Sequence, residues 1–146
     1  MKKSEIETQH QKNSTRTAEG KKRKYDLEDR LIDFSVRVIN IVEKLPNTRT
    51  GNHIASQLVR CGTSPAPNYG EAQSAESRKD FIHKIKICLK ELRETKIWLK
   101  VIERKSLIKD TEQVTNLLKE SDELISIFVA SVRTAERNKD SESKVS

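Results

Sequence analysis

Apolar residues recur every three or four positions along most of the chain, beginning near residue 26. The first such row runs from Leu27 to Leu45, which is the spacing of one apolar face on an α-helix. Pro46 follows it and prevents the helix from continuing. The pattern predicts a first helix over about 26–45. Four apolar residues outside the row predict that this helix is buried on more than one side: Ile32, Val36, Ile39 and Val42.

The second apolar segment contains two prolines. Pro65 and Pro67 each lack the amide hydrogen that a helix interior requires, and in mid-helix each costs about 3 kcal/mol. A proline is tolerated only in the first turn of a helix, where the amides have no helical partner. We therefore predict a kink or break near 62–67, with the helix resuming after Pro67.

The third and fourth segments have the most regular apolar rows. Alternating spacings of four and three run from Phe81 to Ile102 and predict a helix over about 77–104. The fourth row predicts a helix from Asp110 or Thr111 to about Arg137. Four amphipathic segments joined by short links predict an all-α domain over 25–137, an antiparallel up-down four-helix bundle with a proline-induced break in its second helix.

The composition agrees with an all-α protein and excludes several other classes. Four Gly, three Pro and 4% aromatic residues are too few for a β-sandwich or barrel. The sequence has no run of 18 apolar residues, so no membrane span is expected, and its N-terminus has no apolar stretch typical of a signal peptide. Two cysteines without an export signal indicate reduced thiols and a cytoplasmic location.

The net charge of +7 is concentrated in two stretches. Residues 1–24 hold eight Lys/Arg against three acids and little to bury, which predicts a disordered basic arm, and 138–146 is predicted to be a disordered tail. Residues 77–105 hold ten basic and four acidic residues. Rows of cations can neutralise phosphates, so we predict RNA or DNA binding; an ordinary solvated face is the alternative. The candidate contacts are Lys79, Lys86, Lys90, Arg93, Lys100 and Arg104, with Lys21, Lys22, Arg23 and Lys24 in the arm.

Three apolar residues of the third helix lie off its main row. Ile87, Ile97 and Val101 would be exposed to water in a monomer, so we predict that they form a subunit contact in a homo-oligomer.

The residues that are typical of catalysis or metal binding do not form a recognisable site. No His or Cys pair has the spacing of a metal site, so neither a metal nor a cofactor is predicted. Arg78 and His83 match the Arg-x4-6-His signature of HEPN ribonucleases, in which the two groups would polarise a phosphate and transfer a proton. Matches of this kind arise readily by chance in an Arg-rich chain, so we predict a protein that is not an enzyme.

The stretch from Arg60 to Leu99 resembles the small bacterial family of the 23S rRNA intervening-sequence protein, often labelled S23 ribosomal protein. The residues that carry the resemblance are Arg60, Gly62, Thr63, Ser64, Asn68, Tyr69, Glu71, Ala72, Ser77, Arg78, Lys79, Asp80, Phe81, His83, Lys84, Lys90, Glu91, Arg93, Glu94, Thr95, Trp98 and Leu99. The chain departs from the pattern at Pro65, Pro67 and Gly70.

This resemblance implies a four-helix bundle without catalysis. The family is similar to the accessory variability proteins of diversity-generating retroelements, which are basic pentamers that bind nucleic acid and a reverse transcriptase. It therefore implies a homo-oligomer with a reverse transcriptase or a ribosomal component as a partner. For Asn68, Tyr69 and Glu71, a structural role at the break is favoured over contact with a partner.

These observations predict a non-catalytic, oligomeric accessory protein that binds nucleic acid through the third helix. Two alternatives stay open: a protein-binding structural adaptor that binds no nucleic acid, and a HEPN-like ribonuclease.

Overall fold

Five helical segments make up the part of the chain that the computed structural model describes, which is the backbone of residues 26–145 and the side chains of residues 26–138. They are α1 (Leu27–Lys44), α2 (Arg49–Thr63), α3 (Pro65–Gln73), α4 (Arg78–Lys105) and α5 (Thr111–Val145). Segments α2 and α3 are two halves of one bent rod, so the architecture is the predicted all-α four-helix bundle. The predicted arm over 1–24 lies outside the described residues.

Polar side chains define where three of the helices begin. Asp26, Thr48 and Ser77 each accept a hydrogen bond from a backbone amide in the first turn that follows, at 2.9, 3.0 and 3.1 Å. Such caps satisfy amides that have no helical partner. The end of α4 is set by Ser106, which adopts the left-handed conformation with φ of 53°.

The break between α2 and α3 is smaller than the sequence predicts. Ser64 keeps right-handed helical angles, φ −72° and ψ −37°, and α3 begins at Pro65 rather than after Pro67. Both prolines thereby fall within the first turn of α3, where a missing amide costs no helical hydrogen bond. The two prolines interrupt the hydrogen-bond pattern of the rod without ending it.

Neighbouring rods pack in the order of the chain. Helix α1 packs on α2 and α3, this bent rod packs on α4, α4 packs on α5, and α5 closes the bundle against α1. Within residues 26–145, the backbones of α1 and α4 do not approach each other closely, so the two helices occupy opposite corners. Polar contacts tie the α1–α5 edge, including Arg30 to Glu120 at 2.5 Å and Lys44 to Gln113 at 2.7 Å.

The core matches the predicted apolar rows, with two corrections. At the start of α4, Ile82 is buried and Phe81 only partly, because the helix turns the first position of the row toward the bundle edge. Helix α1 is buried on one face rather than several: Ile32, Val36 and Ile39 are 48%, 50% and 38% exposed. No other described rod covers that outward side.

Helix α5 is longer than predicted. It continues to Val145, so residues 138–145 of the predicted tail have helical backbone. The apolar row that marked the predicted end stops near Arg137, but no Gly or Pro follows to end the helix. Across the described part of the chain, no helix is both long and apolar enough to cross a membrane.

Candidate nucleic-acid interface

The outward face of α4 carries a row of cations along nearly its whole length. Exposed residues follow each other at spacings of four and three, opposite the buried row that faces the core. We call its six Lys and Arg residues the basic row: Lys79, Lys86, Lys90, Arg93, Lys100 and Arg104. All six are exposed, so the structure brings the predicted helix contacts together on one face.

Most of the basic row lacks a neutralising partner. Lys86 pairs with Glu136 of α5 at 2.9 Å, whereas the other five members form no ion pair within residues 26–138. Cations on the two flanks of α4 are engaged: Lys84 pairs with Glu71, and Lys96 with Asp122, each at 2.5 Å. Positive charge is therefore concentrated along the outward face of the helix.

The two acids in the middle of α4 do not neutralise the row, because they turn toward α2. Glu91 and Glu94 both pair with Arg60, and Glu94 also accepts a hydrogen bond from the Trp98 indole at 3.4 Å. Trp98 in turn meets the His53 ring edge-on, with 6.0 Å between centroids. These contacts join α2 to α4 and do not involve the outward cations.

The residues that carry the family resemblance around the break make internal contacts. Asn68 donates to the carbonyl and the hydroxyl oxygen of Ser64, both at 2.9 Å. Tyr69 is partly buried and meets the Phe128 ring edge-on at 5.9 Å, and burial raises its pKa. The Thr63 hydroxyl donates to the Val59 carbonyl at 2.5 Å.

Together with Arg60 and the Glu71–Lys84 pair, these contacts form what we call the motif junction. This supports the structural reading of Asn68, Tyr69 and Glu71.

Gly62 lets α1 and α2 approach closely. A Cβ atom at this position would lie 2.6 Å from a methyl group of Val38, closer than such atoms can pack. The glycine of the motif is thus required by packing between two helices.

The two residues of the ribonuclease signature do not share a face. Arg78 is the first residue of α4 and is partly buried, whereas His83 is exposed. Five residues separate them, which places them about 140° apart around the helix axis. Asp80, between them, is exposed.

The predicted apolar patch on α4 is only partly contiguous. Ile97 is 61% exposed and Val101 37% exposed, and Ile97 lies within the basic row between Arg93 and Lys100. Ile87 is half-buried. The two exposed apolar residues and the basic row therefore share the C-terminal half of α4.

The described residues contain little else that resembles a chemical site. They hold no group of three or more metal-binding side chains. A pocket of about 170 Å³ between α1 and α5, lined by Arg37, Asn40 and Gln113 among others, is below the usual size of a ligand site, about 300 Å³ and above. Cys61 and Cys88 are free and fully buried, and burial raises the pKa of their thiols to about 11 and about 12. The arm cations Lys21, Lys22, Arg23 and Lys24 lie outside the described residues.

Sequence reasoning missed one surface, the outward side of α1. Glu28, Asp29, Ile32, Val36, Ile39 and Glu43 are all exposed there, and we call these six residues the α1 outer face. Their apolar members repeat at spacings of four and three, a signal that the sequence does contain. The pattern predicts burial instead, because a second apolar row is also typical of a helix buried on two sides.

Comparison with known proteins finds one matching family model and a similar crystal structure. The model of the 23S rRNA-intervening sequence protein family matches residues 17–130. A crystal structure of a protein of unknown function from the S23 ribosomal protein family, from Bacteroides thetaiotaomicron, is similar with a TM-score of 0.67 and 34% sequence identity. The match covers 73% of this chain and 98% of that one. No curated protein matches.

Proposed function

The chain belongs to the 23S rRNA-intervening sequence protein family, and from that premise we propose that it is a non-catalytic, self-associating accessory protein that binds RNA or DNA through the basic row of α4.

The observation that carries this proposal is the set of five outward cations without an ion-pair partner inside residues 26–138. Paired cations gain little from a phosphate, because they must first give up the carboxylate they hold. Unpaired cations along one face release condensed counterions from a polyanion, and that release is favourable. The row spans 25 residues, or about 38 Å at 1.5 Å per residue, close to one turn of a duplex.

The chemistry of the row favours binding without sequence preference. Its members are Lys and Arg on a straight helix face, which suits phosphates, and no row of exposed aromatic rings accompanies them on α4 to stack unpaired bases. Binding of this kind weakens by orders of magnitude between low and physiological salt.

Self-association is the second part of the proposal. Ile97 and Val101 support it, since a large apolar side chain 61% exposed in the centre of a charged face is poorly accommodated in a monomer. An oligomer would repeat the basic row and raise affinity through avidity. The arm cations would add to the same electrostatic attraction without fixing its orientation, so removing residues 1–24 should weaken binding only in part.

Charge reversal within the basic row tests the proposal. The double variant Lys86→Glu with Arg93→Glu should abolish the gel shift that wild type gives with RNA or DNA at about 50 mM salt, while its helical circular dichroism is retained. The matched control is Lys119→Glu with Arg133→Glu, which makes the same change at two exposed positions of α5. Equal loss in both variants would contradict a specific role for the basic row. No wild-type shift with either nucleic acid would favour the adaptor alternative.

A further inference from the structure

Two exposed apolar patches lie at opposite corners of the bundle. On α1 the patch is Ile32, Val36 and Ile39, each between 38% and 50% exposed. On α4 it is Ile97 and Val101. The backbones of the two helices do not approach each other closely within the described residues, and both patches are exposed, so neither covers the other in one copy.

The charges around the two patches are opposite in sign and equally spaced. Asp29 and Glu43 stand seven residues before and after Val36. On α4, Lys90 and Arg104 stand seven residues before and after Ile97. Seven residues are about two turns and 10.5 Å, so each charged pair flanks its patch on the same helix face.

All four flanking charges are available for a new partner. They are exposed, and none forms an ion pair inside residues 26–138. The three basic side chains of α1, by contrast, lie on the side facing α5. Arg30 pairs with Glu120 and Glu123, Arg37 is partly buried and lines a pocket with Gln113, and Lys44 donates to Gln113 at 2.7 Å. The α1 outer face is therefore purely acidic around its apolar centre.

We propose that the α1 outer face of one copy docks on the Ile97–Val101 patch of α4 in the next copy. Val36 and Ile97 form the apolar centre, and the acids at both ends of α1 meet the cations at both ends of the α4 patch. Because the spacing is symmetric about each centre, the charges match whether the helices cross parallel or antiparallel. Pairing of like faces would instead set acid against acid or cation against cation, which is unfavourable.

This contact is head-to-tail. Each copy presents one α1 face and one α4 face at opposite corners, so every copy has two different neighbours. A contact between unlike faces produces a ring when the rotation between copies closes, and an open chain when it does not.

The inference rests on the self-association part of the proposed function and specifies its partner surface. It also divides the basic row. Four members of the row repeat every seven residues: Lys79, Lys86, Arg93 and Lys100. Because seven residues fall about 20° short of two full turns, successive members lie further around the helix axis, on the side of Ile97 opposite Val101. These four remain open to phosphates while Lys90 and Arg104 meet the neighbouring copy.

Complementation between two variants tests the head-to-tail contact. Val36→Glu removes one face and Ile97→Glu removes the other. Each variant alone should be monomeric by light scattering after nuclease treatment, under conditions where wild type is larger. Mixed in equal amounts, the two should form a dimer and nothing larger, because one intact junction remains possible between them. Both positions are exposed and helical, and Glu is a better helix former than Val or Ile, so the fold is expected to survive.

Three results would overturn the contact: a wild-type monomer at micromolar concentration, a mixture that stays monomeric, or a Val36→Glu variant that keeps the wild-type mass while Ile97→Glu does not. The last outcome would mean that α4 pairs with itself. The matched control is Ala130→Glu, at an exposed position of α5, which should leave the mass unchanged.

A charge exchange gives a second, independent readout. Asp29→Lys with Glu43→Lys should reduce assembly, as should Lys90→Glu with Arg104→Glu, and all four changes in one chain should restore it. Failure of restoration would contradict the proposed pairing.

The two proposals fail in different ways. The variant Lys86→Glu with Arg93→Glu should no longer bind nucleic acid, and its particle mass in light scattering should equal that of wild type. The variant Val36→Glu should form a smaller particle than wild type and should still bind nucleic acid, but more weakly. Loss of binding by a monomeric Val36→Glu variant to the level of the charge-reversed one would contradict this division of the α4 surface.

Discussion

The motif junction faces α4 from the side of α2 and α3, whereas the basic row lies on the outward side of α4, and the charges on the two sides are used in opposite ways. On the side facing α2, Glu91 and Glu94 are taken up by Arg60, and Asn68, Tyr69 and Glu71 contact other parts of the same bundle. On the outward side, five of six cations have no ion-pair partner inside residues 26–138. The resemblance-carrying residues around the break thus hold the fold together, whereas Lys79, Lys90 and Arg93, which also carry the resemblance, lie in the outward basic row.

The difference separates stability from binding. A change in the motif junction should alter the free energy of unfolding and leave the folded protein able to bind. A change in the basic row should do the reverse, since exposed and unpaired cations contribute little to stability.

Gly62→Ala should have the largest effect on stability. Its new Cβ would lie 2.6 Å from a Val38 methyl group, and valine is too stiff to move aside, so we expect a loss of about 1–3 kcal/mol. Urea unfolding measures it. Below the unfolding transition, nucleic-acid affinity should match wild type.

Gly70→Ala is the matched control for that substitution. Gly70 lies in α3, and a Cβ there would meet nothing within 4 Å. Replacement of a helical glycine by alanine in open space should stabilise the protein by up to about 1 kcal/mol. A Gly62→Ala variant as stable as Gly70→Ala would contradict the close packing of α1 on α2.

Alkaline pH should also lower the free energy of unfolding. Burial raises the pKa of Cys61 to about 11 and of Cys88 to about 12, whereas thiols in an unfolded chain ionise near 8.5. The folded state therefore holds both protons more tightly. The corresponding stability is complete below about pH 8.5 and is lost as pH rises toward 11. Urea midpoints at pH 8 and pH 10 measure the loss, and Cys61→Ala should show a shallower decline than wild type. An equal decline in both would contradict the assignment.

Most of the fold could be predicted from local signals in the sequence. The apolar row from Ile85 to Ile102 and the cap at Ser77 depend only on nearby residues, so their spacing is sufficient. The prolines at 65 and 67 were harder to interpret, because their cost depends on which residue begins the next helix. The outward exposure of Val36 was missed for a related reason: a second apolar row looks the same whether it meets a neighbouring helix or solvent.

The sequence is sufficient to predict which cations lie on the outward face of α4. It is not sufficient to predict which of them lack an acidic partner. Heptad spacing alone places Lys79, Lys86 and Arg93 on one face. Whether a cation there is free depends on where the acids of α4 turn. Glu94 pairs with Arg60, which lies 34 residues earlier in the chain. A pairing over that sequence distance cannot be predicted from the residues near Glu94.

The salt dependence of nucleic-acid binding tests the central claim most directly. Log affinity for a DNA duplex should fall linearly with log salt, with a slope of about 0.9 per phosphate neutralised. Lys79→Gln with Arg93→Gln, which removes two cations without an ion-pair partner inside residues 26–138, should reduce the magnitude of that slope by about 2, whereas Lys119→Gln with Arg133→Gln should leave it at the wild-type value. The same slope in all three proteins, or binding that does not respond to salt, would contradict a role for the basic row of α4.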